Sequence, residues 1–179
     1  MKTLRNFNFK GKIVLLRADL NSDVLNGKVL MSEKIKESAK TINYLKQKRA
    51  KIVVIAHQGR PGKSDFISLK QHAKLLNKYT KIKFVDDILG KKAQEAIRNL
   101  REGEAILLEN IRFEKDEFFP EKEKKNKLMK LIELADIYVN DAFSVCHRKQ
   151  ASIVLFPKYL PSCSGKLLEK EVSALKKIK

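Results

Sequence analysis

The chain has 179 residues, 43% hydrophobic and 34% charged, enough for one hydrophobic core and too short for two comfortable domains, so a single folded unit is expected and a disordered chain is excluded. Its 39 Lys and Arg against 21 Asp and Glu give a formal charge of +18, which favours anionic partners: nucleic acid, an anionic membrane or phosphorylated metabolites. The opening stretch holds only the short apolar run Ile13 to Leu16 before Arg17, so neither a signal peptide nor a membrane span is expected, and a cytoplasmic protein is predicted.

Short β-branched runs alternate with stretches of helical period, which predicts βαβ units of the α/β class: a three-layer αβα, Rossmann-like architecture on a mainly parallel sheet of about six strands. In chain order, a strand over Ile13 to Leu16 precedes Ser32, an N-cap candidate before the apolar stripe Ile35, Ala39, Ile42 and Leu45 of a first helix. A strand over Lys51 to Ala56 follows, then a helix capped by Ser68 and carrying Leu69, Ala73, Leu75 and Leu76. Strands over Ile82 to Val85 and Ala105 to Leu108 flank a helix from Ala93 to Leu100. The charge-dense stretch Glu114 to Lys130 is expected to be a solvated loop and helix surface leading into an apolar face at Leu128, Leu131, Ile132 and Leu134. A strand over Ile137 to Val139 comes next, with a sixth short strand expected near Ile153 to Leu155. From Gly165 to Lys179 the spacing of Leu167, Leu168, Val172, Leu175 and Ile178 predicts a helix without a stop signal, as though the chain ended within an element.

Four strands are followed at once by polar clusters: ADLN, HQGRP, ENIRF and NDAFSVCHR. In a parallel sheet the segments past the carboxyl ends share one edge, where such folds bind ligands. Arg17, Asp19, Asn21, His57, Arg60, Arg112 and Arg148 are therefore expected at a common crevice. Converging arginines repel one another unless an anion neutralises them, and a planar guanidinium matches the paired oxygens of phosphate or carboxylate. Asp19 and Asn21 add the acceptor and the mixed donor and acceptor that a hydroxyl beside such an acid requires.

Taken singly, each residue has a plainer role. Asp19 and Asn21 suit an Asx turn, Gly59-Arg60-Pro61-Gly62 a tight turn, and His57 a structural hydrogen bond; Arg112 has Glu109 and Glu114 as partners, and Arg148 suits a helix end. Only their joint placement favours a site. His72 and His147 are expected to be structural. Cys146 and Cys163 form no CxxC pair, which argues against a metal site and for a reducing compartment, and both are expected in the core. Gly62-Lys63-Ser64 ends like a P-loop, but His57 stands where that pattern needs glycine and Pro61 removes a backbone donor.

In this order the clusters resemble the phosphoglycerate kinase family over essentially the whole chain. LLRADLN resembles its first-strand motif, usually R-V-D-x-N; IAHQGRPGK resembles H-x-G-R-P in an archaeal-like form; LLENIRF and VNDAFSVCHR resemble the two later motifs; PSCSGKLLEKEVSAL resembles the approach to the interdomain helix. The resemblance implies a substrate-binding α/β domain over residues 1–164 and the start of an interdomain helix over 165–179, with the nucleotide-binding domain absent from this sequence. It implies that Asp19 and Asn21 meet the hydroxyl and carboxylate end of 3-phosphoglycerate, while His57, Arg60, Arg112 and Arg148 form the basic patch around its phosphate. The arginine that steadies the phosphoryl group in flight is replaced by Lys34, with Lys36 as the neighbouring alternative.

The implied reaction moves the acyl phosphate of 1,3-bisphosphoglycerate to ADP, giving 3-phosphoglycerate and ATP. Magnesium ADP or ATP would be held mainly by the carboxy-terminal domain and by no residue of this chain alone, which is expected to bind its substrate and turn over negligibly. The implied partners are 3-phosphoglycerate or 1,3-bisphosphoglycerate and the carboxy-terminal domain, with no nucleic acid or membrane and a monomer when complete. The rival, a basic nucleic-acid-binding module, needs a basic stripe interleaved with stacking aromatics, and aromatics are only 7% of the chain.

Overall fold

The computed structural model describes residues 1–178; Lys179, the last residue of the final predicted helix, lies outside them. Strand β1 (Ile13–Arg17) leads through a small hairpin, β2 (Val24–Leu25) and β3 (Lys28–Val29), to helix α1 (Glu33–Gln47). Next come β4 (Lys51–Ile55), α2 (Lys70–Leu76), β5 (Lys83–Val85), α3 (Lys91–Arg98) and β6 (Ala105–Leu108). The chain closes with α4 (Met129–Leu134), β7 (Ile137–Asn140), α5 (Ala151–Val154), α6 (Phe156–Tyr159), β8 (Ser162–Ser164) and α7 (Lys166–Lys176).

The main sheet has six strands in the order β5-β6-β4-β1-β7-β8, every neighbouring pair parallel. Its central strands are apolar on both faces, as sheets covered on both sides require. Val14 and Leu16 of β1 join Ile52 and Val54 of β4 in one core with α1 and α2. Leu15, Val53 and Ile55 point the other way, into a second core with residues of α3, α4, α5 and α6. Two cores on opposite faces of one sheet make the three-layer αβα architecture.

Ser32 caps α1 as the sequence suggests: extended at φ −126°, its hydroxyl accepts from the Ile35 amide at 3.4 Å, an interaction worth about 1 kcal/mol in typical helices. Ser68 lies one residue outside the α2 cap position, where its Oγ accepts from the Lys70 amide and donates to Glu109.

Three expectations are corrected. Ile153 and Val154 lie in helix α5 and Leu155 caps its end, their amides bonding back to the carbonyls of Gln150 and Ala151, and the place beside β7 is taken by Ser162–Ser164. That strand carries almost no β-branched signal, and its pairing with β7, together with a bridge to Thr3, holds it in the sheet. The stretch after Glu114 is not wholly solvated: Asp116 and Glu117 are buried. Asp116 accepts from Lys122 Nζ at 2.5 Å and from the Lys127 amide at 2.8 Å, which folds the loop back on itself. Of the cysteines only Cys163 is buried; Cys146 is exposed. No described helix is long and apolar enough to cross a membrane.

Candidate functional site

The chain leaves β1 for α1 on one face of the sheet and leaves β7 for α5 on the other, so the carboxyl ends of these adjacent strands bound a crevice at a strand-order switch point. Asp19, just past β1, is 2% exposed. Its Oδ2 accepts from the Ser144 hydroxyl at 2.6 Å, and Lys34 Nζ, from the first turn of α1, stands 3.5 Å from Oδ1. Lys36 instead pairs with Glu33 at 3.7 Å, so Lys34 is the lysine of that turn that faces Asp19.

Gly59, past β4, joins three clusters. Its amide donates to Asn21 Oδ1 at 2.8 Å, and its carbonyl accepts from Arg112 Nη1 at 2.6 Å. Arg112 is placed by Asn110, whose Oδ1 accepts from the Arg112 amide and whose Nδ2 donates to the carbonyls of Gln58 and Ile67. Gln58 in turn holds the loop after β1 by exchanging hydrogen bonds with the Ser22 backbone, and its Oε1 also accepts from buried His72 Nε2 at 2.8 Å. Burial holds the His72 pKa down at about 4, consistent with a neutral structural ring.

Arg112 is buried, and its pKa is lowered to about 10, first by desolvation and then by Arg17, with Arg148 and Arg60 acting the same way and Glu117 opposing them. Those guanidinium groups are thus near enough to repel Arg112. Arg60 and Arg148 are exposed. His57 is 4% exposed and its pKa is driven far below the ordinary value, by burial first and then by Arg17, Arg112 and Lys34. Arg17, Lys34 and Arg112 thus act on His57, and Arg17, Arg60 and Arg148 on Arg112, with Glu117 opposing them at Arg112 and Asp19 beside Lys34. Two polar atoms in this group are buried without a hydrogen bond, Asp19 Oδ1 and Arg112 Nε.

One expected member is displaced. Arg17 does not line the crevice: it is 0% exposed, because the β1 alternation points it to the second face of the sheet. There its Nε donates to Ser152 Oγ at 2.9 Å, and its Nη2 lies 3.0 Å from His57 Nδ1. Glu117, Ser144 and Ser152 were not legible as neighbours of the site, since isolated serines and a glutamate in a charged run have no distinguishing pattern. A cavity of about 930 Å³ lies elsewhere, along β5 and α3. Lys46, Lys81, Lys83 and Lys92 there are interspersed with Asp86, Glu95 and Glu104, so it lacks the one-signed convergence of the crevice.

Fold and geometry together define a doubly wound α/β domain with an anion-receptive crevice at its switch point. The family model for phosphoglycerate kinase matches residues 4–179, and the chain belongs to that family. It is 49% identical to the phosphoglycerate kinase of Sulfurisphaera tokodaii, over 98% of this chain and 44% of that protein. With the phosphoglycerate kinase of Saccharolobus solfataricus it shares 46% identity over 98% of this chain and 45% of the relative. The crystal structure of phosphoglycerate kinase from Pyrococcus horikoshii superposes with a TM-score of 0.91 at 39% identity, covering 98% of this chain and 45% of that one. The chain therefore spans less than half the length of the relatives it matches.

Proposed function

We propose that the chain is the 3-phosphoglycerate-binding domain of a phosphoglycerate kinase, with residues 1–164 forming the substrate domain and residues 165–179 starting the helix toward a carboxy-terminal nucleotide domain. The observation that supports this best is the cationic excess around Arg112, joined through Gly59 to Asn21. Asp19 has Oδ2 committed to Ser144 and Oδ1 buried without a hydrogen bond beside Lys34, so it takes the substrate hydroxyl once Lys34 turns from Oδ1 toward the ligand. Asn21 has given its Oδ1 to Gly59, which leaves Nδ2 to donate to the substrate carboxylate. Arg60, Arg112 and Arg148, with His57, take the phosphate. Lys34, beside Asp19, neutralises the phosphoryl group in transfer between 1,3-bisphosphoglycerate and ADP.

Among the described residues no group of three or more His, Cys, Asp or Glu is placed to hold a metal ion. Gly62-Lys63-Ser64 sits in exposed turns, and the next helix begins only at Lys70. In this reading the nucleotide belongs to the carboxy-terminal domain, and the complete enzyme is a cytoplasmic monomer that acts on small phosphorylated acids and not on nucleic acid or membranes.

Calorimetric titration with 3-phosphoglycerate tests the assignment. Binding by the chain is expected to weaken roughly tenfold or more in Arg60→Ala and in Arg148→Ala, as for a lost hydrogen bond to a charged group. Unchanged affinity in both variants rejects the crevice as the phosphate site.

A further inference from the structure

We propose that Glu117 and Ser152 are positioning residues that act through Arg17 to hold His57 as a neutral hydrogen-bond donor, its Nε2–H turned to the crevice. The proposal rests on the 3-phosphoglycerate reading for its ligand, and deepens it by stating what His57 offers: a directed hydrogen bond without a charge.

The geometry gives each link one polarity. Ser152 Oγ donates to Glu117 Oε1 at 2.5 Å while the Ser152 amide donates to Oε2 at 2.9 Å. With its single proton so directed, the hydroxyl is left as an acceptor, and Arg17 Nε donates to it at 2.9 Å. Arg17 Nη1 donates to the Ala18 carbonyl at 2.9 Å, which orients Nη2 against His57 Nδ1 at 3.0 Å. A guanidinium has only donors, so Nδ1 must accept and the imidazole proton must lie on Nε2.

Burial removes the alternatives that water would provide. Arg17, Ser152 and Glu117 are each 0% exposed and His57 is 4% exposed. The Tyr138 hydroxyl, itself buried, donates to the Ser152 carbonyl at 2.5 Å and braces the same turn. His57 Nε2 has no protein partner, yet it is not among the polar atoms sealed inside the described residues. The groups that face the ring are Arg17 from β1, Lys34 from α1, His72 from α2 and Arg112 from the turn after β6. Each of these disfavours a charged ring, and an imidazolium would set a donor against a donor at Nδ1. A phosphate oxygen would therefore take its charge compensation from the arginines and a fixed direction from His57.

Long-range proton–nitrogen NMR of histidine-labelled chain, without ligand, reads the ring directly. The expected result is the neutral Nε2–H tautomer throughout about pH 5.5 to 8, the range in which an unperturbed histidine titrates. Ser152→Ala and Glu117→Gln are expected to release the ring, giving mixed tautomers or a titration in that range, and Ser152→Thr, which keeps the hydroxyl, to restore the single form. In parallel, 3-phosphoglycerate affinity should fall roughly tenfold in the first two variants and recover in the third. An imidazolium or an Nδ1–H ring in the unaltered chain overturns the proposal, as does a His57 spectrum unmoved by Ser152→Ala. Since the ring is read without ligand, a chain with the expected tautomer that ignores 3-phosphoglycerate upholds the positioning and defeats the substrate assignment instead.

Discussion

Gly59 shows how much of the crevice depends on single atoms. It has φ +69°, and a Cβ placed there would stand 2.4 Å from the Asp65 carbonyl oxygen, so an added methyl meets both a strained backbone and a backbone clash. The same residue gives its amide to Asn21 and takes Arg112 on its carbonyl, so any shift is transmitted to both ends of the proposed substrate site. Gly59→Ala is expected to cost about 1 to 3 kcal/mol of stability, in the range of overpacking, and to weaken 3-phosphoglycerate binding. Chemical denaturation and calorimetry check this; an unchanged midpoint together with unchanged affinity refutes it. Lys34 carries an ammonium 3.5 Å from Asp19 Oδ1, charge without the fork with which an arginine would orient an anion.

The junction of β7 with α7 is decided by a carboxylate rather than by a local cap. Gly165 precedes α7 and has no capping side chain, but Asp141, at the end of β7, accepts from the Leu168 amide at 3.0 Å, and Thr41 of α1 accepts from the Lys166 amide at 3.2 Å. A Cβ on Gly165 would lie 2.3 Å from Asp141 Oδ1, so the carboxylate packs directly on the glycine. Burial pushes the Asp141 pKa up from 3.8 to about 6, with Asp19 adding to the rise and Thr41 and the amides of Leu168 and Leu167 opposing it. The folded chain then binds more protons at this group than the unfolded chain between about pH 4 and about pH 6, and stability falls as pH rises through that window. Asp141→Asn keeps an acceptor for α7 and removes the titration. Melting temperature against pH should therefore fall across this window in the unaltered chain relative to Asp141→Asn; parallel profiles would rule this account out. Beyond this anchored start α7 is less covered, with Leu175 52% exposed, as befits the proposed passage toward another domain.

At the scale of the molecule, the proposed function asks the crevice to supply alignment and positive charge for one reactant. Phosphoryl transfer also needs a second reactant held in line and water excluded, which the proposed reading gives to a carboxy-terminal domain. The purified chain is therefore expected to bind 3-phosphoglycerate and to show negligible turnover in a coupled assay of ATP formation from 1,3-bisphosphoglycerate and ADP. Robust turnover by the chain alone would overturn the proposed division of labour with a carboxy-terminal domain. The formal charge of +18 fits this arrangement only where it is focused, since scattered surface lysines are screened by solvent and salt.

The alternation of apolar runs with helical stripes determined the parallel sheet, both cores and the edge at which Asp19, Asn21, His57 and Arg112 gather, because burial on two faces and a common strand direction follow from pattern alone. What pattern does not encode is which side of that edge a side chain takes and which partner completes it. Arg17 turned inward to Ser152, Glu117 left a charged run for the interior, and Ser162–Ser164 rather than Ile153 to Leu155 became the sixth strand. Each of these was decided by tertiary structure, since a buried polar group goes where partners satisfy it and an edge segment goes where a neighbouring strand offers hydrogen bonds.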